Sequence, residues 1–265
     1  PMEYEIGYTA PISASIKSVV TKPIFVAGRI NQPQIAEEIL KMGQADMCGM
    51  TRALISDPMM PRKAANGDLD DIRACVACNQ ACIGHMLNAC SISCIQRPET
   101  GRELQYANIS KTKLKKSILV AGGGPAGVKA ACIAADRGHR VTLCEKSNSL
   151  GGQINLAQSL PGRAEFGGII TNLNKELMKT TVSIRFNSFV DLDLIEELKP
   201  DVVIAATGAT PYMPGIQGAE EAHVVNAWQV LEGKANVGGS VVIADWRCDW
   251  VGLGLAELLL SLIHI

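Results

Sequence analysis

The sequence predicts an α/β fold built on parallel sheets, and three observations carry that prediction. Residues 117–145, SILVAGGGPAGVKAACIAADRGHRVTLCE, run as strand, glycine turn, helix and a second strand ending in an acid. Residues 23–50 place strand, helix and strand within about thirty residues, which makes one βαβ unit of a parallel sheet. The composition agrees, with 25 glycines beside only 4% aromatics, a balance that suits tight turns and close backbone approaches to nucleotides. At 265 residues and 47% apolar, the chain can hold more than one domain and a sizeable core. A net charge of −1 leaves no electrostatic footprint for nucleic acid or an anionic membrane. The longest apolar runs, such as LGLAELLLSLI, fall short of a membrane span. The expected location is cytoplasmic, with no nucleic-acid or membrane partner.

Taken in order, PIFVAGRI at 23–30 reads as a short buried strand running up to Gly28. PQIAEEILKMG at 33–43 reads as a helix, with Pro33 suited to its first turn and Gly43 to its C-terminal cap. ADMCGM at 45–50 is the second strand, and TRALISDP after it reads as a polar turn. Glu99 to Lys116, charged, weakly patterned and ending in KTKLKK, is the best linker in the chain. These changes divide the sequence into residues 1–72, 73–116, 117–215 and 216–265.

The second of these segments holds RACVACNQACIGHMLNACSISCIQRP at 73–98. Cys75, Cys78, Cys82 and Cys94 stand as C-x2-C-x3-C-x11-C, with Cys90 as a spare thiol. Three thiolates within eight residues can converge on one inorganic core, and a fourth from a loop closes the coordination. That suits a [4Fe–4S] cluster, whose irons each take one soft thiolate. Structural zinc and buried free thiols are the alternatives, although zinc favours two separated C-x2-C pairs.

In the third segment, Gly122, Gly124 and Gly127 form G-x-G-x-x-G between strand and helix. The first permits a tight turn, the second a backbone approach to pyrophosphate, and the third close helix–strand packing. Glu145 closes the next strand, where a carboxylate can accept ribose hydroxyls. LGGQ at 150–153, ending in Gln153, and DVVIAATGATP at 201–211, with Thr207 and Gly208, point to a flavin-type site rather than an NAD one. The helical pattern from Gly167 to Met178 reads as packing with no chemistry of its own. SVVIADWRCDWVGLGLAELLL at 240–260 reads as another strand, turn and helix, but without the glycines. Asp245, Trp246, Arg247, Cys248, Asp249 and Trp250 stand where a dinucleotide needs bare backbone. The closing SLIHI lacks the glycine and strand that should follow, and is read as a truncation or spurious terminus.

This order of motifs resembles the trimethylamine dehydrogenase and 2,4-dienoyl-CoA reductase family. The cysteine spacing is its most specific part, supported by SDPMMPRKAANGDLDDIRAC before it and by GGGPAG, LGGQ and ATGATP after it. The resemblance implies that residues 1–72 are the C-terminal end of a TIM (β/α)8 barrel that carries FMN. Segment 73–116 would then be a [4Fe–4S] segment and linker, 117–215 an FAD- or ADP-binding Rossmann-like domain, and 216–265 the start of a degenerate second nucleotide domain. It further implies that Gly28 with Arg29, and Thr51 with Arg52, meet the FMN phosphate. The family's substrate-activating residues lie in barrel strands this sequence lacks, so no catalytic residue is named and the chain alone is expected to be inactive. The implied activity is amine-dehydrogenase-like on a small-molecule substrate. Electrons would leave substrate-reduced FMN through the cluster for a protein acceptor such as an electron-transfer flavoprotein, in a homo-oligomer. An NAD(P)H-dependent dienoyl-CoA or enoate reductase and a non-catalytic electron-transfer module are the alternatives.

Overall fold

The computed structural model describes residues 2–106 and 108–263, which fall into two compact units, Pro1–Ser110 and Lys111–Ile265. The last two residues of SLIHI lie outside the described residues.

In the first unit, β1 (Phe25–Ala27) and β2 (Met47–Gly49) pair in parallel with Val26 opposite Cys48. Helix α1 (Ala10–Lys17) precedes them, and α2 (Pro33–Lys41) makes the crossover. Pro33 occupies the first turn of α2, where no amide donor is needed, and Gly43 follows its end at φ +67°. Val26, Ile30, Ile39, Ala45 and Ala10 make the core of this layer. Asp46 fixes the entry to β2 by accepting from the Ile24 amide at 2.7 Å and Lys17 Nζ at 2.5 Å. Both strands are shorter than the sequence predicts, and at β1 the reason is local: Arg29 is left-handed at φ +48°, which turns the chain out of the sheet.

TRALISDP, expected as a polar turn, contains a helix, α3 (Thr51–Ser56). It stops at Asp57, in extended backbone, because Pro58 disfavours the helical conformation in the residue before it. Helix α4 (Met60–Ala65) follows. The end of α3 then anchors the cysteine segment on both sides. The Asp57 carboxylate accepts from the Arg73 amide at 2.9 Å and from Lys63 Nζ at 2.7 Å. Gln96 Nε2 donates to Ala74 O at 2.9 Å and to Ser56 Oγ at 3.3 Å, and Thr100 Oγ1 donates to Ile55 O at 3.2 Å. Between these anchors the chain is mostly irregular. Its main feature is a π turn at Gln80–Gly84, closed by the Gly84 amide on Asn79 O at 2.8 Å.

The second unit holds a parallel sheet of order β5-β4-β3-β6, formed by Ser183–Arg185 (β5), Arg140–Cys144 (β4), Ser117–Ala121 (β3) and Val202–Ala205 (β6). Helix α5 (Pro125–Asp136) packs on β3 and β4, with Leu119, Val120, Val128, Ala131 and Leu143 fully enclosed. Each such side chain contributes roughly 1.5–3 kcal/mol by leaving water, less for alanine. A short helix, α6 (Gln153–Ala157), leads to α7 (Gly167–Met178), which packs on α5 as the sequence predicts. The strand expected near 240–245 does not form. No described strand lies alongside to pair it, and Val242 is 93% exposed. Helix α8 (Trp250–Ile263) does form, and lays Leu255 and Leu259 against Leu160.

Candidate cofactor sites

A cavity of about 220 Å³ opens at the C-terminal ends of β1 and β2, with Gly28, Arg29, Asn31, Thr51, Arg52 and Cys75 on its wall. The two glycine/threonine–arginine pairs expected from the sequence therefore meet at one place. Gly28 is required there because a Cβ would run into the Thr9 side chain, which donates to Ala27 O at 3.0 Å. Arg29 Nη1 donates to Met2 O at 2.9 Å. Asn31, only 5% exposed, donates from Nδ2 to Cys75 O at 2.9 Å.

Cys75, Cys78, Cys82 and Cys94 all line a second, smaller cavity of about 20 Å³, among Ile55, Val76 and Ile95. Cys90 is exposed and does not line it; its thiol faces Asn88 O at 3.5 Å. Among the described residues no group of three or more His, Cys, Asp or Glu is placed to hold a metal ion. The four cysteines share one cavity without forming a ready-made site for a single ion. As a donor set, four soft thiols in an apolar wall without a carboxylate suit an iron–sulfur cluster. Burial pushes the Cys78 thiol up to about 11 and raises Cys75 too, with neighbouring thiols adding in the same direction. Binding of a metal group must therefore displace protons. Arg52 and Cys75 belong to the walls of both cavities, and Arg52 Nη1 donates to Asn79 Oδ1 at 2.5 Å.

In the second unit, the glycine turn sits at the C-terminal end of β3. Gly122 has φ +108°, and its amide donates to Cys144 O at 2.8 Å. A Cβ on Gly127 would strike Gly122 O, whereas one on Gly124 would meet nothing within 4 Å. Thr207 lies against Gly122, and Gln153 Nε2 would stand 3.4 Å from a Cβ on Gly208. The buried Glu145 carboxylate accepts from the Gly123 amide at 2.6 Å, and from the Ser147 amide and hydroxyl at 2.8 Å each. Burial alone would raise its pKa, but these bonds outweigh that and hold the carboxyl below its usual range. All seven residues singled out in the sequence thus gather where β3, β4 and β6 end.

The turn before α8 is filled from within. Asp245 Oδ1 accepts from the Arg247 and Cys248 amides at 3.0 Å each, and Asp249 Oδ1 from the Val251 amide at 2.9 Å. Arg247 Nε lies 3.3 Å from Asp249 Oδ2. Trp250 stacks on Phe166 at 5.7 Å between ring centroids, with Arg163 over its face at 5.2 Å.

The sequence reading missed Asn31, Ser56, Asp57, Asn79 and Gln96, which hold the cysteine segment. One available signal was Asn79 itself, since asparagine tolerates the left-handed backbone it adopts at φ +57°.

A parallel βαβ layer with an arginine-lined cavity, and a glycine-turn nucleotide unit, together define a flavin-type oxidoreductase architecture. Residues 3–71 match the NADH:flavin oxidoreductase / NADH oxidase family, and residues 116–241 the pyridine nucleotide-disulphide oxidoreductase family. The chain is 41% identical over 239 residues to an NADH oxidase of Thermoanaerobacter brockii, covering 89% of this chain and 37% of that protein. It is 36% identical over 257 residues to an N,N-dimethylglycine/sarcosine dehydrogenase of Chromohalobacter salexigens, covering 94% and 37%. Among solved structures, a 2-naphthoyl-CoA reductase complex superposes with a TM-score of 0.89 at 33% identity, over 98% of this chain and 40% of that one. A 6-hydroxypseudooxynicotine amine oxidase from Pseudomonas geniculata N1 gives 0.89 at 30% identity, over 98% and 41%. The chain belongs to the old-yellow-enzyme and trimethylamine dehydrogenase type of flavin oxidoreductases, and β1 and β2 with their helices are part of its TIM-barrel fold. No described helix is long and apolar enough to cross a membrane.

Proposed function

We propose that the chain is the electron-exit portion of an amine-oxidising iron–sulfur flavoprotein. The observation that carries this reading is the shared wall: Arg52 and Cys75 face both the arginine-lined cavity and the cavity of the four cysteines. Gly28, Arg29, Thr51 and Arg52 would hold the phosphate of FMN, through bare backbone at the glycine and through cationic, fork-shaped donors at the arginines. Cys75, Cys78, Cys82 and Cys94 would ligate a [4Fe–4S] cluster, and Cys90 would not. Gly122, Gly124, Gly127, Gln153, Thr207 and Gly208 would seat FAD or ADP, while Glu145 offers its remaining lone pairs to the ribose hydroxyls. When bound, FMN would take two electrons from the amine carbon and the cluster would release them singly to a protein acceptor such as an electron-transfer flavoprotein. The similarity to a protein named for N,N-dimethylglycine and sarcosine supports an amine as substrate. The turn at 245–251 supports a protein acceptor over NAD(P)+, because carboxylates already occupy amides that a pyrophosphate would use.

A second reading, an NAD(P)H-dependent enoyl-thioester or enoate reductase, draws on the 41% identity to a protein named NADH oxidase. Stopped-flow mixing of the anaerobic oxidised holoenzyme with N-methylated amines, NADH and NADPH separates the two. Flavin bleaching by an amine, and none within seconds by either nucleotide, is expected. Bleaching by a nucleotide, reversed on adding an enoyl thioester, would replace the first reading with the second. Iron analysis tests the cluster itself: Cys94→Ser should lose iron and Cys90→Ser keep it.

A further inference from the structure

Arg52 is, among the described residues, the only charged side chain on the walls of both cavities of the first unit. Its Nη1 donates to the side-chain oxygen of Asn79. That asparagine stands between Cys78 and Cys82 in the left-handed conformation, and its own carbonyl closes the π turn that presents Cys82. Arginine cannot lose its proton in a protein, and its fork has donors enough to bond a phosphate while one of them stays on Asn79. The guanidinium is thus a fixed positive charge beside the thiols, on a face that also meets the arginine-lined cavity.

We propose that Arg52 couples the two cavities: through Asn79 it positions the Cys78–Cys82 turn, and its charge sets the reduction potential of the cluster held there according to whether a phosphate occupies the neighbouring cavity. The inference rests on the reading that the cysteines hold [4Fe–4S]. Reduction adds one electron and makes or breaks no bond. The added negative charge is favoured by a nearby cation, more so in a wall of low polarity. A phosphate on the same guanidinium offsets that cation, so the electron becomes easier to add when the phosphate leaves. Arg52 acts here as a positioning residue, distinct from the ligands.

The test is a dithionite titration of the anaerobic holoenzyme followed by electron paramagnetic resonance, with FMN bound and after its removal. Wild type should shift to a more positive cluster potential when FMN is removed. Arg52→Gln should shift to a more negative potential with FMN absent, and respond much less to FMN. Arg52→Lys keeps the charge, so its FMN-free potential should stay near wild type while iron is lost several-fold faster to a chelator. Asn79→Gly keeps the left-handed backbone and removes only the acceptor, and should also lose iron faster. A wild-type potential indifferent to FMN, or an Arg52→Gln potential equal to wild type, would overturn the coupling. Should Arg52→Gln fail to assemble a cluster, the wild-type comparison and Arg52→Lys still decide it. A wild-type protein with four intact cysteines and no cluster after reconstitution would overturn the underlying reading, and the inference with it.

Discussion

At Gly124 and Gly127 the same residue type does two different jobs, and the surroundings tell them apart. Gly127 has no room for a side chain, because its Cβ would sit on the Gly122 carbonyl. Gly127→Val should therefore cost about 3 kcal/mol of stability, read from the urea midpoint, since the obstacle is backbone and cannot rotate away. Gly124 faces open space. Gly124→Val should leave stability within about 1 kcal/mol yet release the adenine nucleotide, assayed by chromatography of the supernatant after denaturation. Equal loss of stability in both variants would contradict the division of roles. The glycine positions were legible from sequence because each demand, for positive φ, bare backbone or close packing, admits so few residues. Asn31 and Gln96 were not, because an amide's importance lies in a partner far along the chain, here Cys75 O and Ala74 O.

Helix α3 shows what periodicity fails to report about an element. Six residues give too little length to display a helical stripe, and Pro58 makes TRALISDP look like a turn. Its weight in the structure comes from its C-terminal end, where Asp57 ties Lys63 and the Arg73 amide together. Burial would raise the Asp57 pKa, but Lys63 and the Arg73 and Met59 amides prevail and lower it from 3.8. A depressed folded pKa means stability that is complete above the unfolded value and lost as pH falls through the folded one. Asp57→Asn should accordingly cost about 2 kcal/mol near pH 7, where it removes the nearer and more buried of the two carboxylates paired with Lys63 and leaves Asp71 at 3.7 Å. Urea unfolding of both proteins between pH 7 and 3 should show that gap shrinking only at the acid end. A gap independent of pH would mean that the carboxylate charge contributes nothing.

Over the whole molecule, β3 was legible because a buried parallel strand announces itself as an unbroken apolar run, as in SILVA, whereas VVIA of β6 has its second and fourth residues exposed and the short, exposed β5 gave no such signal. The run near 240 has the same composition and, among the described residues, no neighbouring strand, so composition alone misplaced it. The two units divide between Ser110 and Lys111, where an exposed stretch rich in lysine begins. Brief trypsin treatment should cut first within residues 111–116 and leave two pieces that resist further digestion, as followed by mass spectrometry. Initial cleavage inside either unit would argue against their independence.

The turn at 245–251 has a consequence for how this lineage can change. Replacing Asp245 by glycine frees the Arg247 and Cys248 amides but removes what now shapes the loop, and Asp249 still holds the next one. Replacing Asp249 alone leaves Asp245 pressed against Gly252. Trp250 keeps its contacts with Phe166 and Arg163 in either case. Each single step discards an existing turn before an open one appears, so no one substitution converts this closed loop into an open one.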